Sequence, residues 1–152
     1  MCQLSTIYAV KIFTFIIFFN SCVSQTNHPE FVWPVEKPYT LSRDYSIYHE
    51  GIDFPKRTGH PVFATAAGEV IYAGSEISGY GKMIIIEHQY NWTSLYAHLN
   101  KIFVKPGSKV SKKQKIGEVG NTGRSSGPHL HFELILDKQT INPVPWLPPP
   151  VE

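Results

Sequence analysis

Cysteine is scarce: Cys2 and Cys22 are the two in 152 residues. A framework of internal disulfides is excluded for any mature chain that begins at Cys22. Charge of one sign is missing too. Lys and Arg number 14 against 12 Asp and Glu, a formal net charge of +2. There is no basic run and no aromatic-basic stripe, so no nucleic-acid partner is expected. No apolar run reaches the roughly 20 residues that cross a bilayer. There is no internal repeat and no long 3.6-residue pattern, which argues against a helical domain. What is present is a chain long enough for one domain with a real core. Its 42% apolar and 17% charged content is globular rather than disordered.

Lys11, then Ile12 to Phe19, then Asn20-Ser21-Cys22 have the layout of a secretory signal: one basic residue, a short apolar block, a small residue before the break. Phe19-Asn20-Ser21-Cys22 resembles a bacterial lipoprotein signal, in which the Cys is lipidated and becomes the new N-terminus. Leu is usual where Phe19 stands, and Asn20 departs from the pattern. The expectation is a signal over residues 1–21 with Cys22 lipidated; plain secretion is the alternative. Residues 22–38, polar and Pro-bearing, read as a tether.

Beyond the tether the texture is β. Short runs at 61–64, 69–73, 83–88, 93–99, 102–104, 115–119 and 129–136 are rich in Val, Ile, Tyr and Phe and are separated by Gly and Pro. Residues 89–92 read as a hairpin loop. The expected fold is all-β, of packed antiparallel sheets. A Pro-rich tail over 148–152 cannot join a ladder.

Seven histidines stand out, because His is both the neutral-pH base and the commonest metal ligand. In "GPHLHFEL", His129 and His131 share one strand face about 6.6 Å apart, while Leu130, Phe132 and Leu134 face the core. A half-buried strand normally offers water Thr, Lys or Glu, and two adjacent imidazoles are a poor structural choice. In "HEGID", His49 and Asp53 are four apart, too far to share one ion in a straight strand, so the segment must bend; Gly51 permits this. In "SLYAHL", Tyr96 and His98 share one face, and Leu95, Ala97 and Leu99 the other. Glu133, on the His131 face, reads either as support for a ligand or as a plain surface carboxylate. Tyr96 has either an orienting or a packing role. His28, His60 and His88 read as tether, turn and strand-end residues with no site role.

The stretches "HEGIDF", "GHPVFATAAGEVIYAG", "YGKMIIIEH", "SLYAHLNKIFVKPGSKVSKKQKIGEVGNTGRSSGPHLHFEL" and "NPVPWL" resemble the LytM or lysostaphin type of zinc metallopeptidase, family M23. Ser126 stands where that family usually has Thr, and "TLSRDYSIY" lacks its usual Gly-Arg spacing. The resemblance implies a domain over 39–147 of the duplicated-hybrid-motif type, with a cleft holding a metal site. It implies Zn2+ as cofactor, His49, Asp53 and His131 as its ligands, and His98 and His129 as catalytic histidines. It further implies attack of a zinc-activated water on peptide cross-links of bacterial peptidoglycan, D-alanyl cross-links being the expected ones. Expected surroundings are peptidoglycan peptide stems, a monomeric chain, and the cell envelope on its periplasmic side. The membrane is a partner where Cys22 carries lipid. Two alternatives are a non-catalytic activator of a wall amidase and a biotinyl- or lipoyl-like carrier. The carrier would need a modified Lys at a hairpin tip, and only Lys138 suggests one.

Overall fold

The computed structural model describes residues 27–149. The signal over 1–21 and Cys22 lie outside the described residues. Ten strands follow in chain order: β1 (Ile52–Phe54), β2 (Pro61–Phe63), β3 (Gly68–Gly74), β4 (Met83–Glu87), β5 (Trp92–Ala97), β6 (Leu99–Ile102), β7 (Lys109–Val110), β8 (Lys115–Val119), β9 (Leu130–Leu136) and β10 (Gln139–Ile141). A single 3-10 turn at Val144–Trp146 is the only helical element among the described residues. The fold is all-β and antiparallel, as expected.

The strands form two sheets. The larger runs β1-β9-β5-β4-β3-β7, with β10 on the far half of β9; the smaller runs β2-β8-β6. Alternation explains the layering. Leu130, Phe132 and Leu134 of β9 are fully buried, as are Tyr96 of β5 and Ile84 and Ile86 of β4. They share one core with Val62, Leu99, Ile116 and Val119 of the smaller sheet. On the opposite face of the large sheet, Met83, Leu95 and Ala97 form a second cluster with Tyr72, Tyr80 and Ile85. That face carries the site.

Two tight turns shape the large sheet. Tyr90 (φ 59°) and Asn91 (φ 60°) join β4 to β5, and Asp137 (φ 49°) and Lys138 (φ 67°) join β9 to β10. Positive φ at both central residues is the turn geometry that follows strand twist. The turns lie together, with the Asn91 amide donating to Asp137 Oδ1 at 2.9 Å.

Three expectations are corrected. The run 93–99 is not one strand: it divides into β5 and β6 at His98, whose φ is 60°. Tyr96 and His98 therefore part company, Tyr96 entering the core and His98 turning to the cleft. The run 102–104 is not a strand beyond Ile102, and Phe103 is half exposed under Lys115 Nζ, 4.9 Å from the ring centroid. The stretch read as a tether packs from its middle onward. Phe31 and Val35 are buried in the main core, Val32 N–H donates to Thr65 O, and the Trp33 ring stacks on Tyr39 at 4.6 Å. The missed signal is the alternation of Phe31, Trp33 and Val35, hidden by the flanking prolines.

Candidate active site

One row of residues crosses the large sheet. Arg43 pairs with Asp53, Asp53 with His131, and His131 with Ala97. Directly opposed residues of antiparallel strands share a face. Register alone thus brings Asp53 and His131 together from positions far apart in sequence. His49 comes from a tight hairpin, Ser46 and His49 exchanging both backbone bonds at 2.9 and 3.0 Å. Gly51 serves by absence of a side chain. Its φ is not positive; a Cβ there would lie 2.5 Å from Phe132 O and 2.8 Å from His131 Cε1. It admits close approach to β9.

The three side chains converge. His49 Nε2 lies 3.1 Å from Asp53 Oδ1, and His131 Nδ1 lies 2.7 Å from the same oxygen. All three ligand atoms fall within 4.8 Å of one another, and all three residues are buried. The outer hydrogen bonds decide what faces inward. His49 Nδ1–H donates to Asp44 O at 3.0 Å, which leaves a lone pair at Nε2. His131 Nε2–H donates to Glu133 Oε1 at 2.9 Å, which leaves a lone pair at Nδ1. Lone pairs on two nitrogens and a carboxylate oxygen repel at such distances unless a cation sits among them. In the metal-free protein a proton takes that part. Burial works to lower the His131 pKa, but hydrogen bonds to Asp53 and Glu133 outweigh it and push it up to about 9. Burial works to raise the Asp53 carboxyl; the His131 hydrogen bond and the surrounding imidazoles hold it below its usual value. Two imidazoles and one carboxylate, with further room in the cleft, are the donor set of an open zinc site. The residues present fit such an ion.

Glu133 resolves toward the supporting reading. It is 1% exposed, bonded to His131, and also accepts the Tyr80 hydroxyl at 3.0 Å. A carboxylate behind a ligating imidazole fixes the tautomer and raises the basicity of the ring.

The other two histidines stand beside this group. The His98 and His129 ring centroids are 4.7 Å apart, and His98 is 5.9 Å from His131. His98 Nδ1–H donates to Thr122 O at 2.8 Å, and His129 Nδ1–H to Gly127 O at 2.8 Å. Both therefore present a free Nε2; that of His129 is 3.9 Å from Asp53 Oδ1. Burial lowers the His98 pKa, ahead of the opposing bond to Thr122 and the repulsion of His129 and His131. His98 is thus held neutral, with its basic nitrogen facing the cleft.

All five expected site residues line one cleft of about 640 Å³. Ser126 lines it too, whereas Tyr96, His28, His60, His88 and Lys138 do not. Tyr96 is fully buried, accepting Thr65 N–H at 2.8 Å. His88 is buried between Ala67 O and Ser94 Oγ, both at 2.8 Å. His28 packs edge-on to Trp146. His60 is half-buried, not exposed, and its Nε2 has no partner among the described residues. Lys138 sits on the exposed turn after β9. Sequence reasoning missed Tyr80, Arg43 and Arg124 in the cleft wall. The one available signal was the placement of Tyr80 and Arg124 between closely spaced glycines.

Residues 47–143 match the family model described as peptidase family M23. The chain is 41% identical over 100 residues to the murein hydrolase activator NlpD of Escherichia coli, covering 66% of this chain and 26% of that protein. It is 43% identical over 94 residues to the peptidoglycan DD-endopeptidase ShyA of Vibrio cholerae, covering 62% and 22%. It thus spans about a quarter of the length of both. A zinc-containing peptidase from Vibrio cholerae superposes with a TM-score of 0.71 at 34% identity, over 74% of this chain and 39% of that one. By sequence match, fold and site geometry together, the chain belongs to peptidase family M23.

Proposed function

We propose that the protein is a zinc-dependent endopeptidase that cuts peptide cross-links of bacterial peptidoglycan, D-alanyl cross-links in particular. His49, Asp53 and His131 hold the metal; His98 and His129 handle protons. The observation that carries this reading is the convergence of three inward lone pairs beside two imidazoles with free Nε2 atoms. Once bound, zinc supplies Lewis acidity, lowering the pKa of water toward 7 and polarising a carbonyl.

The residues do the rest. His98, neutral through burial, accepts a proton at Nε2 from the attacking water. The proton taken from the water passes on to the leaving amine, by way of Nε2 of His98 or of His129, whose ring Gly127 O holds with Nε2 facing the cleft. Glu133 keeps the His131 ring aligned through Nε2. The open cleft suits an extended peptide. The similarity to ShyA supports the wall-peptide substrate. A cell-envelope location, with a lipid anchor at Cys22, belongs to the same proposal.

A second reading, a non-catalytic activator of a wall amidase, is favoured by the similarity to NlpD. One experiment separates them. Purified peptidoglycan is digested with the zinc-loaded protein and the products are weighed. An endopeptidase binds about one zinc per chain and releases uncross-linked stems. It loses that activity to a chelator or to His131→Ala. An activator leaves the wall intact alone and stimulates an amidase with or without metal.

A further inference from the structure

The row that joins the metal-site residues does not stop at Asp53. Its next member outward is Arg43, on the same sheet face, in a segment held to Asp53 by two backbone bonds: Asp53 N–H donates to Arg43 O at 3.0 Å and Ser42 N–H to Asp53 O at 2.9 Å. A second arginine stands on the other flank. Arg124 N–H donates to Gly79 O at 2.8 Å, and His98 N–H donates to Tyr80 O at 2.9 Å, so Arg124 belongs to the wall beside His98. Both arginines line the cleft. Both are exposed, and neither guanidinium has a hydrogen bond or ion pair among the described residues. Among the described residues Asp53 is the only carboxylate in the cleft wall, and it faces the imidazoles; Glu133 lies buried behind them. Asp44 and Glu50, on the same hairpin as Arg43, are exposed but do not line the cleft.

A guanidinium is a planar fork of donors whose best match is a carboxylate. Two such forks without internal partners, on opposite sides of the proton-handling histidines, make a cleft that lacks anions of its own. The segment of Arg43, bridged to Asp53, then β1, β9 and β5, are neighbours in that order. At about 4.8 Å per step, the Arg43 backbone is roughly 14 Å from β5, at whose end His98 stands. We propose that Arg43 and Arg124 are specificity-determining residues that bind free carboxylates of the substrate peptide, one on each side of the bond that is cut. The favoured substrate is then an acidic peptide, and amidation of its carboxylates makes it a poor one. This rests on the endopeptidase reading above for the placement about the cut bond and for its kinetic arm.

The test uses the zinc-loaded full chain and two probes: a cross-linked stem-peptide dimer with free carboxylates, and the same dimer with those carboxylates amidated. Binding is measured by calorimetry and turnover by product mass, for the native protein, Arg43→Gln, Arg124→Gln and Arg43→Lys. The expected result is that the free form binds at least about tenfold more tightly. Each Gln variant raises Kd and KM for the free form by about tenfold, with kcat little changed, and leaves the amidated form unaffected. Arg43→Lys restores part of the loss, keeping the charge without the fork. Equal binding of the two forms overturns the proposal, as does an equal loss for both in the Gln variants, or no measurable binding of either. Selective binding without turnover upholds carboxylate recognition and sinks the endopeptidase reading instead.

Discussion

At the scale of single residues, the cleft separates two kinds of histidine by what lies behind each ring. His131 is backed by a buried carboxylate, whereas His49, His98 and His129 are backed by backbone carbonyls. The carboxylate makes its ring a better ligand; a carbonyl only fixes which nitrogen faces the cleft. Glu133→Gln keeps the shape and removes the charge. It should weaken zinc binding by about 10–100-fold, read by competition against a chromophoric chelator. Unchanged affinity would show that the Glu133 charge contributes nothing to ligation. His129→Gln should keep one zinc per chain while lowering kcat by about 10²–10⁴-fold. His131→Ala should lose the metal itself, so metal content separates the two roles. The histidine pair was legible because period-2 alternation puts 129 and 131 on one face whatever the register. Which partner each would meet was not legible. Asp53 faces His131 through a strand pairing that no local pattern encodes, and Tyr80 reaches Glu133 from a loop without periodicity.

At the scale of elements, the decisive features are a close approach and a buried relay. Gly51 lies where any Cβ would press on the Phe132 carbonyl and the His131 ring. Gly51→Ala should destabilise the fold by about 1–3 kcal/mol, and zinc affinity should fall more than in an Ala substitution at Gly59, where nothing lies within 4 Å of a Cβ. Equal metal affinities would show that this approach does not hold the site. The relay ties β4, β5 and the turn before β3. His88 Nδ1–H donates to Ala67 O; neutral His88 then offers Nε2 to the Ser94 hydroxyl. Ser94 Oγ in turn lies 3.0 Å from the Tyr96 hydroxyl. Burial lowers the His88 pKa below 6.5, ahead of the opposing bond to Ala67. Above pH 6.5 the ring is neutral folded and unfolded. Below it the unfolded chain takes up the proton first, so stability falls as pH drops until the folded pKa is reached. Denaturant midpoints between pH 7 and 5 should decline, and His88→Gln should flatten part of that decline. An unaltered slope would place the titration elsewhere. Strand existence was largely legible from composition; the division at His98 was not, since one left-handed residue in an apolar run leaves no periodic trace.

At the scale of the whole molecule, the folded unit extends beyond the family match of 47–143 at both ends. Phe31 meets Trp92 edge-on at 5.0 Å, Trp146 meets Trp92 at 4.6 Å, and Trp33 Nε1–H donates to Pro148 O at 2.9 Å. Phe31 and Trp146 thus meet at the Trp92 end of the main core. That end is remote from chemistry. Trp92 begins β5 and the cleft opens where β5 ends at Ala97, about 17 Å along the strand. Stability and catalysis should therefore come apart. Phe31→Ala removes a buried ring and should cost about 3–5 kcal/mol, lowering Tm by roughly 10–20 °C. Well below the new Tm, zinc content and wall-cleaving rate should match the native protein. A chain begun at residue 40 should lose more, because Val35 and the Trp33–Tyr39 stack go as well. A Phe31→Ala protein with native Tm would show that the segment rests on the core without supporting it. One that is stable yet inactive at low temperature would show that this end of the core acts on the cleft through the strands between them.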